Sequence, residues 1–546
     1  MIKLLKNRTR CLLIHPKFSP YSFWNFVEVS KIVGAKYQAA PLGLMTVAAL
    51  LPQEWEIKLI DTNVEPLLNE HFEWADLVFT GGMLPQQIAI LDIINLAHQK
   101  NKPVVVGGPD PTSQPHLYRS ADYLVLGEGE NTIPTFLNDL GNGSKGGEYT
   151  SPDYADMTNA VVPRFDLINF NNYIHLNIQF TRGCPFNCEF CDIIELYGRK
   201  PRSKTPEQMV KELQALYDLN YRGHIDIVDD NFIGNKKQVK DTLRAIKVWS
   251  EANKYPFYFG TEASINLADD DELLELMRDV DFRLVFTGLE TPEDEVLEKV
   301  NKKINMNRSV VEATKKISSY GMVVNAGFII GFDNENGQTA KRMNAFIQDT
   351  GICVAMLGLM YALPNTKLTK RLHLEGRLFE EHSIFTDNKT QIDQASSGLN
   401  FITLRPREDI LRDFVDVISY IYNPENYYER IIRTCLNLKV ANKHKYSFKK
   451  ILKNLRSFSR ILRKVGFNKI TGMLFWKMFF TVLFKNPKAI EWAISLSAMF
   501  IHFYNHSNFV IDLTNQQIDY INKYGEEVYN QSRCKITETK VANFSN

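Results

Sequence analysis

Two successive series of short β-rich runs alternating with helical ones fill this 546-residue chain up to about residue 376, where the alternation stops. Strand, helix, strand in repetition places consecutive strands parallel, with helical crossovers between them, and so predicts an α/β fold. The first series, over residues 10 to 160, contains strands at Cys11–His15, Ile57–Asp61, Leu77–Thr80, Pro103–Val106 and Tyr123–Leu126, with helices at Leu42–Leu51 and Ile88–Gln99. This predicts a doubly wound parallel sheet. Several strands run into glycines: Gly81 and Gly82, Gly107 and Gly108, and Gly127. Ligands of such sheets sit outside the carboxyl ends of the strands, where glycine lets the backbone approach closely. None of the clusters has the G-x-G-x-x-G spacing, which argues against a dinucleotide site.

The second series, from about 165 to 375, has six strands and predicts a partial (βα)6 barrel. They are Leu176–Phe180, Ile225–Val228, Phe257–Ser264, Arg283–Leu289, Asn325–Phe332 and Met356–Leu363. Thr205 followed by Pro206 opens the first crossover helix. The first strand delivers the run Thr-Arg-Gly-Cys-Pro-Phe-Asn-Cys-Glu-Phe-Cys, with Cys184, Cys188 and Cys191 spaced C-x3-C-x2-C. Three thiolates without a fourth do not complete a structural zinc site. They can hold a [4Fe-4S] cluster with one iron left open to a small molecule.

This run, including Phe190 just before the last Cys, resembles the signature of the radical S-adenosylmethionine (SAM) superfamily. The resemblance implies that the open iron chelates SAM, whose reductive cleavage yields a 5'-deoxyadenosyl radical. It also implies cofactor-facing positions at the strand ends. Asp229 and Asp230 end the second strand where the family binds the SAM amino group, and Glu262 lies at the exit of the third. Glu290, in Gly288-Leu289-Glu290-Thr291, is similar to the family's Gly-Ile-Glu-Ser near the ribose and methionyl groups. Gly327 and Gly331 belong to the fifth strand, beside adenine, and Pro364-Asn365-Thr366 is similar to the Pro-Gly-Thr exit of the sixth. No single residue is marked as the catalytic acid, base or nucleophile.

The first series resembles the cobalamin-binding domain that precedes many radical SAM barrels. Gly43, in Pro41-Leu42-Gly43-Leu44, stands with Gly81, Gly82, Gly107 and Gly108 where that domain's loops would meet the corrin. The D-x-H-x-x-G motif is absent, and His15 at a strand end reads as structural. The resemblance therefore implies a cobalt with no protein His beneath it.

After residue 376 the chain reads as helical, with apolar helices over Met473–Phe484 and Ala489–Phe503 and a polar, frayed end from about Ser532. Between Arg430 and Lys488 there are sixteen Lys or Arg and no Asp or Glu, although the whole chain carries a net charge of only +1. This basic module suits a solvated helical face or peripheral contact with an anionic membrane. With no recognition module beside the charge, nucleic acid is not expected as a partner. The third resembles the tail of hopanoid methylases. The domains expected are 1–160 cobalamin-binding-like, 161–375 radical SAM barrel and 376–546 helical and basic.

The remaining cysteines, Cys11, Cys353, Cys435 and Cys534, are scattered and suggest neither a disulfide framework nor a second cluster, which argues against methylthiotransfer. The amino terminus lacks the apolar core of a secretory signal, and no run of about 18 apolar residues predicts a spanning helix. A cytoplasmic enzyme is expected, peripheral at the inner membrane face if the basic module binds lipid. The leading function is a cobalamin-dependent radical SAM methyltransferase acting on an unactivated carbon of a small molecule or hopanoid-like lipid. Its electron donor would be a flavodoxin or ferredoxin. Two alternatives stay open: a cobalamin-dependent radical rearrangement or oxidation without methyl transfer, and a non-catalytic corrinoid or redox sensor.

Overall fold

The structure is a computed structural model that describes residues 9–19, 22–379, 397–441, 443–446 and 448–535. The basic amino-terminal octapeptide and residues 536–546 of the polar tail lie outside the described residues. The chain divides into two units, Met1–Ser19 with Ala35–Pro185 and Ile193–Phe257, and Pro20–Gly34 with Phe186–Asp192 and Tyr258–Asn546.

In the first unit, β1 (Arg10–His15), β3 (Glu56–Asp61), β4 (Leu77–Gly81), β5 (Val104–Gly107), β6 (Tyr123–Val125) and β7 (Gly147–Tyr149) form one sheet, while β2 (Tyr37–Ala39) lies apart from it. The sheet order is β3-β1-β4-β5-β6-β7, all parallel. Cys11, Leu12, Leu13 and Ile14 of the interior strand β1 are fully buried, as expected of a strand covered on both faces. The order reverses at β1, so a crevice opens at the carboxyl ends of β1 and β4. The loops there are tied together. Thr62 donates through its backbone N and Oγ1 to the His15 carbonyl, and Gln86 Nε2 donates to the Pro16 carbonyl at 2.8 Å.

β2 pairs in parallel with β8 (Tyr173–Ile178), which also pairs with β11 (Gly223–Ile227). A three-residue segment of the first series thus extends the strands of the second. Between β8 and β11 lies a two-stranded antiparallel pair, β9 (Thr181–Arg182) and β10 (Arg202–Ser203). The helix Pro206–Asp218 begins as expected, with the Thr205 and Gln208 side chains each bonding the other's backbone N–H.

In the second unit, β12 (Phe257–Glu262), β13 (Phe282–Glu290), β14 (Val323–Ile330) and β15 (Ala355–Leu359) are parallel neighbours in that order. Helices Arg407–Ile421, Pro424–Asn437, Phe448–Ile461, Gly472–Lys485 and Ile490–Tyr524 follow. The last is 35 residues long and far outruns the apolar stretch read from the sequence. No helix among the described residues is long and apolar enough to cross a membrane. The segment 22–34, placed in the first domain by its position in the sequence, packs with these helices instead. Phe23 stacks on Phe503 at 4.8 Å, and its carbonyl meets His502 Nε2 at 2.9 Å.

Candidate functional site

The cysteine loop follows β9, and its geometry begins at Gly183, whose φ of +90° is a left-handed conformation. A Cβ there would stand 2.9–3.0 Å from the carbonyls of Tyr197, Gly198 and Lys200, so only glycine lets the chain pass. Cys184 N donates to the Gly198 carbonyl at 3.2 Å. Further along, Glu189 is held through its backbone, donating to Val300 and accepting from Leu368. Cys188 is buried, Cys184 and Cys191 are half-buried, and none of the three is in a disulfide. The loop is fastened by its backbone, but no three His, Cys, Asp or Glu side chains among the described residues are grouped as a metal site, so the three-sulfur donor set rests on the C-x3-C-x2-C spacing.

Upstream, Arg182 is fixed by two carboxylates, Glu128 at 2.9 Å and Glu130 at 2.8 Å. Arg202 of β10 reaches Glu128 as well, at 2.9 Å. The Gly-Glu-Gly-Glu segment after β6 therefore clamps the hairpin that leads into the cysteines.

Glu290 terminates β13 with φ +65° at a register shift opposite β14. It is buried and pairs with Lys302 Nζ at 2.9 Å. Asn305 Nδ2 stabilises the irregularity by donating to the carbonyls of Gly288 and Leu289. A Cβ on Gly288 would come within 2.4 Å of Glu290 Oε1, so the glycine makes room for the ion pair. Burial pulls the Lys302 pKa down, but Glu290 and the nearby thiols of Cys188 and Cys191 outweigh it, and the net shift is upward. Lys302 was not singled out by the sequence. It pairs with Glu290 and feels the charge of Cys188 and Cys191.

Asp229 departs from the sequence expectation. Its carboxylate is 1% exposed and already accepts from Phe180 N at 2.7 Å, Thr181 N at 2.9 Å and Thr181 Oγ1 at 2.8 Å. Burial, against these three bonds, pushes its pKa up to about 7. It ties the end of β8 rather than offering a surface to an ammonium. Asp230 beside it is half-buried, and neither it nor Asn231 caps the next helix, a role taken by Asn235. Glu262 is exposed at the end of β12.

Phe190 lines a cavity of about 550 Å³ with Val300, Gly331, Phe332 and Met360. Its ring lies 6.1 Å from that of Phe332, edge to face. Gly331 has φ +107°, and a Cβ there would strike Leu399 at 2.6 Å; one on Gly327 would meet the Phe286 ring at 3.4 Å. Glu335 was also missed. It is buried, accepts from Gly331 N at 2.9 Å, and holds the exit of β14.

In the doubly wound sheet, a Cβ on Gly81 would lie 2.0 Å from the Gly107 carbonyl, and one on Gly107 2.6 Å from that of Val125. Gly82 and Gly108 are similarly crowded, by Gln86 and by the backbone of Gly82. Gly43 differs: a Cβ there would meet nothing within 4 Å. The strand ends are thus stripped of side chains at the switch point, and Gly43 on the first turn of its helix faces open space. Such a floor fits a flat macrocycle. Burial lowers the His15 pKa despite Asp61, and its carbonyl accepts from Thr62.

Comparison with known proteins agrees with this geometry. Residues 32–137 match the B12 binding domain, 178–347 the radical SAM superfamily and 366–516 a domain of unknown function, DUF4070. The chain is 41% identical to the uncharacterized methyltransferase sll1242 of Synechocystis sp., over 97% of both chains. It is 34% identical to the hopanoid C-2 methylase of Rhodopseudomonas palustris, covering 80% of this chain and 82% of that one. The chain belongs to the cobalamin-binding radical SAM family of these methylases. Its fold is similar to that of the cobalamin-dependent radical SAM enzyme OxsB, with a TM-score of 0.57 and 15% identity over 98% of this chain and 84% of that one. The parallel strands of residues 178–347 are those of the family's half-barrel. The protein is an enzyme whose cofactors are a [4Fe-4S] cluster, SAM and cobalamin.

Proposed function

We propose that this enzyme is a C-methyltransferase acting on an unactivated carbon of a polycyclic terpenoid lipid. The observation that carries the reading is the 34% identity to a hopanoid C-2 methylase over 80% of this chain. With its cofactors bound, the site would be supplied with radical hydrogen abstraction and methyl transfer. The chain's own residues bind and orient those cofactors. Cys184, Cys188 and Cys191 would hold the cluster. Lys302 sets positive charge beside two of those thiols, and Glu290 anchors Lys302. Asp230 and Glu262 are assigned to the SAM amine, and Phe190, Gly327 and Gly331 to the adenosine side. Asp229 is a positioning residue that braces β8. Gly43, Gly81, Gly82, Gly107 and Gly108 would form the floor that receives the corrin.

A low-potential donor of the flavodoxin or ferredoxin type supplies the electron. The cytoplasm supplies the reducing surroundings, and peripheral attachment to an anionic membrane face gives access to a lipid. The test is anaerobic incubation of reconstituted enzyme with cobalamin, reductant, terpenoid lipid and SAM bearing a trideuterated methyl group. The expected product gains one labelled methyl. An altered product without that label would replace this reading with rearrangement or oxidation, and no deoxyadenosine at all would favour a sensor.

A further inference from the structure

The helix Gly472–Lys485 is apolar on two faces, and only one is covered. Phe475, Met478 and Val482 are fully buried against the neighbouring helices Pro424–Asn437 and Ile490–Tyr524. Met473, Phe480 and Phe484 project on the other side, 84%, 47% and 80% exposed, with Phe467 just before the helix at 72%. The outward rings form a ladder. Phe467 lies 6.3 Å from Trp476, Trp476 stacks on Phe480 at 5.8 Å, and Phe480 stacks on Phe484 at 6.2 Å. Trp476 is fixed by donating from Nε1 to the Gly466 carbonyl. An ordinary soluble surface leaves single apolar side chains exposed, not a contiguous ladder of aromatics.

The charge around the ladder has one sign. Lys469, Lys477, Lys485 and Lys488 are exposed beside it, and Arg456 and Arg463 are exposed on the preceding helix and the π turn Leu462–Gly466. Two nearby cations are engaged. Lys464 pairs with Glu28 at 2.7 Å, and Arg460 donates to the Ile32 carbonyl. With no acidic residue from Arg430 to Lys488, nothing within this segment neutralises the exposed set.

We infer that the outer face of Gly472–Lys485, with Phe467 and the cations beside it, docks on the surface of an anionic phospholipid bilayer. Phe and Trp rings enter the boundary between headgroups and acyl chains, and Lys and Arg meet the phosphates. The contact is interfacial, since no described helix is long and apolar enough to span. Charge complementarity commits the surface to lipid: a second copy of this basic face would repel it, and aromatics already stacked on one another leave little face for bases. The purpose of the surface rests on the lipid-substrate reading above, whereas its existence does not.

The test is flotation of the full-length holoenzyme with vesicles of phosphatidylcholine alone, or with about a third phosphatidylglycerol. Binding is expected only to the anionic vesicles and should weaken with salt. Lys469→Gln, Lys477→Gln and Lys485→Gln should each reduce the partition coefficient about five-fold. Phe480→Ser with Phe484→Ser should abolish flotation at physiological salt. Deoxyadenosine release with SAM and reductant should be unchanged in all of them, which shows that they fold. Flotation that is absent, or equal on neutral vesicles, would overturn the inference. So would ladder variants that only convert an oligomer to a monomer, or tight binding of RNA that the lysine variants remove. Flotation can succeed while lipid methylation fails, and the reverse, so the two readings are judged apart.

Discussion

Replacing Lys302 with Met removes one partner of a buried ion pair and leaves the other in place. The Glu290 and Lys302 side chains are 8% and 15% exposed and meet at 2.9 Å. Breaking such a pair from one side costs about 3–5 kcal/mol, and the residual exposure of Lys302 places this one near 3. For a domain of this size that corresponds to roughly 6–12 °C in melting temperature. The double variant Glu290→Met, Lys302→Met leaves no stranded charge and should recover at least half of the loss. Anaerobic thermal melts of apo and reconstituted proteins give both numbers. The same cation acts on Cys188 and Cys191, so reconstituted Lys302→Met should bind its iron but hold it at a lower reduction potential. A melt within about 1 °C of wild type, or a double variant no better than the worse single, would refute the reasoning.

Arg182→Ala should remove the partner of Glu130, 11% exposed, and leave Glu128 to Arg202, costing about as much as the Lys302 change; a near-neutral melt would contradict the clamp. Gly81→Ala places a methyl 2.0 Å from a backbone carbonyl that a rotamer change cannot move, so corrin content should fall sharply while iron is retained. Glu335 has its pKa pushed up to about 8 by burial, with Glu293 adding to this and the backbone of Gly331 and Phe332 and Arg405 opposing it. The fold therefore favours its protonated form. The stability tied to it is complete below the unfolded value of 4.5 and declines as pH rises through about 8. Glu335→Gln removes that decline, so the variant's melting temperature relative to wild type should climb steadily between about pH 5 and pH 8. A flat difference would remove this account of Glu335.

The strands were legible because parallel strands buried on both faces read as short apolar runs, as Cys11–Ile14 shows. The cysteine loop was legible because its ligands are local in sequence. What stayed hidden depends on partners far along the chain. Nothing in Val300-Asn301-Lys302 announces a cation until the fold brings Glu290 against it. Asp229 reads as a free acceptor until Phe180 and Thr181 are seen to consume it. β2 is three residues long, too short for any periodicity, and its pairing with β8 is set by the fold rather than by its own sequence. The segment 22–34 follows β1 in sequence, yet its Phe23 and Phe26 are buried against Phe503.

The central claim, a cluster on Cys184, Cys188 and Cys191 that cleaves SAM, is tested most directly by 5'-deoxyadenosine release from the anaerobically reconstituted enzyme under reductant. Wild type should release the nucleoside, and each Cys→Ala variant should lose both the iron–sulfur absorption and the product. Release at wild-type rates from any one of the three variants would contradict the account.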